Sequence, residues 1–119
     1  MISFKQLIPL IRIIDMVKAR EFYIEWLGFH IDWERKSGEK SLLQISRGDL
    51  VLRLSEHGVK TPGAKVMVHM TGIELLHKEL TDSKHNYDNP SLENAPKNGK
   101  TLSVTDPFGN RLVFNEGTE

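Results

Sequence analysis

The feature that most constrains this chain is an order of apolar periodicities that occurs twice. Leu52-Arg53-Leu54 and Leu112-Val113-Phe114 stand 60 residues apart at corresponding places. Similar patterns lead up to each. In the first half, residues 5–14 are short in span and β-branched at 8, 11, 13 and 14, which favours a strand. Pro9 lacks a backbone donor, so that strand belongs at a sheet edge or carries a bulge. Asp15 is placed to cap a helix, whose apolar positions 16, 19, 23, 26 and 27 run up to a terminating Gly28. Residues 29–34 alternate as a strand, 37–40 turn, and 41–47 and 50–55 form two strands joined at Gly48-Asp49.

Residues 56–63, with Gly58, Pro62 and Gly63, read as a linker, after which the order returns. Residues 64–70 predict a strand and 73–83 a helix with apolar positions 73, 76 and 80. Tyr87 opens a weak strand inside a polar stretch that runs to Asn98. Residues 101–105 and 111–115 close around the turn Asp106-Pro107-Phe108-Gly109-Asn110. The expectation is an α+β fold: one domain over 1–119, built from βαβββ modules at 1–58 and 64–119.

Composition narrows the function. Lys and Arg number 16, as do Asp and Glu, so the chain lacks the basic excess of a general nucleic-acid binder. Having no Cys, it holds no disulfide, thiolate zinc site or cysteine nucleophile. No apolar run approaches the roughly 20 residues that span a bilayer, and the opening residues lack a signal-peptide layout. A cytoplasmic protein with neither nucleic acid nor membrane as partner is the expectation.

Alternation sorts the strand residues into two faces. Ile11, Ile13, Leu50, Leu52, Leu54, Val66, Val68, Leu112 and Phe114 form an apolar set that should pack under the helices. Opposite them stand Leu10, Arg12, Val51, Arg53, Lys65, Met67, His69, Arg111, Val113 and Asn115. Such a face either meets water or lines a polar cavity, and periodicity alone leaves both open.

Particular residues then carry a resemblance. Ile8-Pro9-Leu10-Ile11, Asp15, Ala19 to Tyr23, Leu27-Gly28-Phe29 and the ending Val104 to Phe114 resemble the vicinal oxygen chelate superfamily. Within it, Pro9, the run Gly28 to Trp33, and Gly72-Ile73-Glu74 most resemble the small bleomycin-resistance proteins. The resemblance implies paired modules with curved mixed sheets and a homodimer whose clefts lie at the interface. It also implies where metal ligands stand in the superfamily's enzymes, and those positions hold Ile8, Arg53, Lys65 and Val113. Aliphatic groups cannot coordinate and cationic side chains repel the ion, so no metal or other cofactor is expected. The tryptophan that the resistance proteins often carry before the last hairpin has no counterpart in Ala95-Pro96-Lys97-Asn98-Gly99. Cationic-drug binders should be acidic for long-range attraction, and this chain is neutral.

No residue is assigned as catalytic. Among His30, His57, His69, His77 and His85 no pair has tight metal-ligand spacing, and Ser41, Ser46 and Ser55 lack a nucleophile-elbow context. Trp26 reads as helix core, His77 as structural, and Trp33, beside the end of its strand, as either core or a stacking wall. The expected function is sequestration of a polar or glycopeptide-like small molecule in the dimer groove, which confers antibiotic resistance. Trp33 would stack, Asp32 would pair with a ligand cation, and Arg12, Arg53, His69 and Arg111 would hydrogen-bond. The alternative is a superfamily enzyme, metal-dependent or using acid–base residues such as Glu34 and His69.

Overall fold

The computed structural model describes residues 1–58, 62–85 and 87–117. Strand β1 (Leu10–Arg12) leads into helix α1 (Met16–Arg20), which continues as π-helical turns over Glu21–Trp26. Strands β2 (His30–Ser37), β3 (Lys40–Arg47) and β4 (Leu50–Ser55) complete the first module. The second holds β5 (Lys65–His69), α2 (Ile73–Asp82), β6 (Leu92–Ala95), a 3-10 turn at Pro96–Asn98, β7 (Gly99–Thr105) and β8 (Arg111–Glu116). Each module forms a four-stranded mixed sheet, in the orders β1-β4-β3-β2 and β5-β8-β7-β6. β1 runs parallel to β4 and β5 parallel to β8, while the remaining pairs are antiparallel. The two modules thus share one topology, as the doubled periodicity requires.

Local chemistry sets the boundaries. Asp15 Oδ1 accepts the Val17 and Lys18 amides at 2.9 and 3.2 Å and so caps α1. At the far end the Leu27 amide donates to the Phe22 carbonyl at 2.9 Å and the Phe29 amide to that of Tyr23 at 3.0 Å. Gly28, at φ +75°, makes that reversal as the sequence expects. Phe22, Tyr23, Trp26 and Leu27 are buried across these turns, and the Trp26 indole N–H donates to the Leu80 carbonyl at 3.2 Å. Trp26 joins Ile11, Ile13, Leu52, Leu54, Leu112 and Phe114 in one core cluster that draws on both modules and both helices, with Leu50, Val66 and Val68 packed against it.

Three expectations change. The first strand covers Leu10–Arg12 rather than 5–14: its ladder with β4 runs only from the Leu10–Arg53 pair to the Arg12–Ser55 pair, just after Pro9, which has no amide N–H to donate. It is an edge strand, as Pro9 predicts, and the Pro9 carbonyl accepts the Arg53 amide at 2.9 Å. The weak strand begins at Leu92 rather than Tyr87, because the ring of Tyr87 stacks within the cluster of Phe22, Trp26 and His85. Strand β2 runs on to Ser37, so Trp33 lies inside its strand rather than beside the turn. Of the expected linker, residues 59–61 lie outside the described residues.

One buried polar knot joins the modules. Asp106 accepts the Tyr23 hydroxyl at 2.7 Å, the Asn110 side-chain amide at 2.8 Å, and the Phe108 and Asn110 backbone amides at 2.9 and 2.8 Å. Asn110 in turn donates to the Arg12 carbonyl at 2.8 Å and accepts the Ala64 amide at 2.9 Å. Burial, then the charge and hydrogen bond of Asp106, push the Tyr23 phenol far above its ordinary range, so it stays a neutral donor. Gly63 lies so close to the Gly109 backbone that a Cβ there would collide.

Asp106→Ala should therefore strand several buried donors at once and cost roughly 3 kcal/mol or more. Urea denaturation reads this directly, and a loss below about 1 kcal/mol would deny the knot its role.

Candidate functional site

Cross-strand register, rather than alternation alone, decides what the face away from the helices carries. Ile31 pairs with Ile45, a core residue, whereas Trp33 pairs with Gln44, and a bulge between them takes up the extra residue Asp32. Gln44 pairs in turn with Arg53, and Leu42 with both Arg35 and Ser55. The bulge thus turns Trp33 and Arg35 to the open face, alongside Gln44, Ser46, Arg53 and Arg12. Glu34 stays on the helix face, where it meets Arg20 of α1 at 2.8 Å.

On that open face the side chains are already arranged. Gln44 donates through Nε2 to Asp32 Oδ2 at 3.1 Å and accepts at Oε1 from Arg53 Nε at 3.0 Å. The Ser46 hydroxyl donates to Asp32 Oδ1 at 2.7 Å. The Ser46 hydroxyl, then the Gln44 amide, hold the Asp32 carboxyl below the usual carboxylate range. The guanidinium carbons of Arg53 and Arg35 each lie 5.1 Å from the centre of the Trp33 ring. Trp33 is half-buried, so it is neither core nor a bare wall.

The six residues expected from sequence do not form one cluster. Asp32, Trp33 and Arg53 are brought together through Gln44. Arg12, two residues beyond the Leu10–Arg53 pair, lies on the neighbouring edge strand with its Nε buried and without a hydrogen-bond partner. His69 and Arg111 belong to the second sheet, where Lys65 pairs with Arg111 and His69 with Asn115. Those two ends are four residues of register apart, roughly 13 Å along the strands. The expected pairing of Asp32 with a ligand cation meets a physical obstacle, since both carboxylate oxygens already accept a bond and two guanidinium groups stand beside the indole. Sequence reasoning missed Arg35, Gln44 and Ser46. Strict alternation from Phe29 puts Trp33 with Ile31, and only the bulge reverses that.

Other features lie outside this face. A cleft of about 550 Å³ opens at the seam of the modules, lined by Leu27, Phe29, Leu50, Val68, Leu76 and Phe114 among others. Arg47 bridges that seam: Nη1 donates to the Leu27 carbonyl at 2.7 Å and to Glu79 at 2.8 Å, and Nη2 to Glu79 at 3.1 Å. His77 contacts the Pro90 carbonyl at 3.0 Å, which fits its structural reading.

The residues at the superfamily's ligand positions do not suit a divalent ion. Ile8 and Val113 have no donor atom, and Arg53 and Lys65 are cations. Among the described residues no three His, Cys, Asp or Glu side chains are grouped to hold one.

The paired βαβββ modules, each with one parallel edge pair, have the architecture of the glyoxalase superfamily. The family model described as glyoxalase superfamily protein matches residues 1–119, and the chain belongs to that family. Among solved structures it is similar to the bleomycin-binding protein of Streptomyces verticillus complexed with copper(II)-bleomycin: 24% identity, TM-score 0.75, covering 99% of this chain and 100% of that one. The bleomycin resistance determinant encoded on transposon Tn5 matches at 21% identity and TM-score 0.75, covering 98% and 100%. TnmS3, an antibiotic binding protein from Streptomyces sp. CB03234, matches at 16% and 0.72, covering 99% and 100%. No curated protein matches the sequence. No helix among the described residues is long and apolar enough to cross a membrane.

Two outcomes test the geometry. Trp33→Ala should cost about 1–2 kcal/mol in urea denaturation, against about 3–5 for Trp26→Ala, since one indole is half-open and the other is core. Ser46→Ala should raise the Asp32 titration midpoint toward the ordinary carboxylate value, because the bond that favours its charged form is gone; carboxyl-carbon NMR follows it.

Proposed function

We propose that this chain is a binding protein that works without metal or catalysis, sequestering a polar, antibiotic-like small molecule on the open sheet face. The observation that carries the reading is the half-open Trp33 indole, with the Arg35 and Arg53 guanidinium carbons each 5.1 Å from its ring centre and the Gln44–Asp32–Ser46 hydrogen bonds on the same sheet face. Groups held in place before a guest arrives reduce the ordering cost of binding. Sequestration then needs only enough such sites to lower the free ligand. Arg12, Arg111 and His69 would extend the contacts along the two sheets. The similarity to bleomycin-binding and antibiotic-binding structures supports this reading.

The groove would be completed by a second copy of the chain, in the cytoplasm. Supporting this, the molecule measures 48 × 47 × 25 Å with a radius of gyration of 15.1 Å. A compact chain of this length would have about 13.5 Å. Ile2, Phe4 and Leu7, in the segment before β1, are exposed, as are Leu10, Ile14 and Val17. Apolar groups in such number are a surface that a partner copy would cover.

The enzymatic alternative that pairs Glu34 with His69 gains nothing from the fold. Glu34 stands on the helix face of the first sheet with Arg20, and His69 on the second sheet.

A thermal-shift screen against glycopeptide antibiotics and small metabolites, with and without divalent metals, tests the reading. A compound that raises the melting temperature equally in the presence of chelator, and is recovered unchanged, is the expected result. Metal-dependent turnover would overturn it. Light scattering at micromolar concentration should return the mass of a dimer.

A further inference from the structure

The open face has a charge character that the composition hides. Although the chain is formally neutral, register places Arg12, Arg35 and Arg53 on this face of the first sheet, with Lys40 at its hairpin end. On the second sheet it places Lys65 and Arg111 there, with His69. The carboxylates that share these faces are Asp32 and Glu93, and Asp32 is already engaged by Ser46 and Gln44. Four other acidic side chains, Glu34, Glu74, Glu79 and Asp82, are spent in ion pairs elsewhere, with Arg20, Lys100, Arg47 and Lys78. Among the described residues, none of Arg12, Arg35, Arg53, Lys65 or Arg111 is in an ion pair.

Three details describe how the cations are placed, the first two at a cost to the fold. Lys65 and Arg111 face each other directly across β5 and β8, an arrangement that like charges make unfavourable. Arg12 Nε is buried with no acceptor, which leaves a donor unsatisfied. Arg53 spends Nε on Gln44, which fixes the guanidinium beside Trp33 and leaves its terminal N–H groups pointing to no acceptor among the described residues. The Asn110 side chain brings together the backbone segments that carry three of these cations. It bonds the Arg12 carbonyl and the Ala64 amide, so β1 at Arg12, the start of β5 at Lys65 and the start of β8 at Arg111 meet there.

We propose that the open face selects an anion: a small molecule with a flat ring and a carboxylate, sulfonate or phosphate beside it. This rests on the reading that the face around Trp33 is the binding site, and names the ligand's charge. The ring would lie against the Trp33 region, while the anionic group accepts hydrogen bonds from Arg53 and Arg35, whose planar forks suit two-point contact with such groups. A ligand cation would instead meet guanidinium groups already occupying the indole's attractive positions.

Naphthalene-2-sulfonate and 2-(aminomethyl)naphthalene, alike in ring and opposite in charge, provide the test. Calorimetry at low salt measures affinity, and NMR follows the indole N–H resonances of Trp26 and Trp33, assigned with Trp33→Phe. The sulfonate should bind roughly tenfold or more tightly than the amine, move the Trp33 resonance, and weaken as salt rises. Arg53→Gln and, separately, Arg35→Gln should each cut sulfonate affinity roughly tenfold with the melting temperature nearly unchanged. If the amine binds as tightly and moves Trp33, the site stands and the anion preference is wrong. If either probe binds without moving Trp33, the site reading itself falls, and the proposal with it. Absence of binding by the sulfonate at millimolar concentration also overturns the proposal.

Discussion

The hydrogen bonds around Asp106 are the constraint on which the rest of the structure depends. A carboxyl group buried to 5% exposure needs acceptors and donors matched, and here each oxygen accepts two bonds. One donor, Tyr23, belongs to the first module's helix, and the others belong to the second module's last turn. The same turn, through Asn110, holds the edge strand β1 and the entry to β5. A tie of this kind has a single geometry, so it fixes how one sheet stands to the other in a way that apolar packing alone does not.

With that junction fixed, each sheet has one face committed to the shared core and one left open. The committed face consists of β-branched and aliphatic residues with the aromatics of the π-helical turns after α1, and it leaves no freedom for chemistry. The open face carries the polar residues, and there the central strand of the second sheet differs from its flanks. Val113 and Asn115, on the central strand β8, are buried even on the open side. In the first sheet, Arg53 stands at the matching position of β4 and is partly exposed.

A long side chain at a superfamily ligand position also has a chemical consequence. A guanidinium where a metal ligand would stand replaces the ion's positive charge with a fixed one. On the proposed reading, the fold would present positive charge to a guest without any metal, through N–H donors rather than coordination.

Much of the architecture was legible in the sequence, because it follows from local rules. The doubled order of elements, the Asp15 cap, the Gly28 helix end, the edge position of β1 and the inward set from Ile11 to Phe114 all depend on near neighbours along the chain. What the tertiary structure alone decided depends on partners distant in sequence. The length of β1 depends on how far it actually pairs with β4, and Tyr87 leaves its expected strand for an aromatic cluster with Phe22 and Trp26. The bulge at Asp32 is the most consequential case. Alternation counts residues along one strand, whereas a bulge is a mismatch in count between two strands, and it exists only once β2 has paired with β3. That mismatch, invisible from either strand alone, is what turned Trp33 and Arg35 from the helix side to the open face.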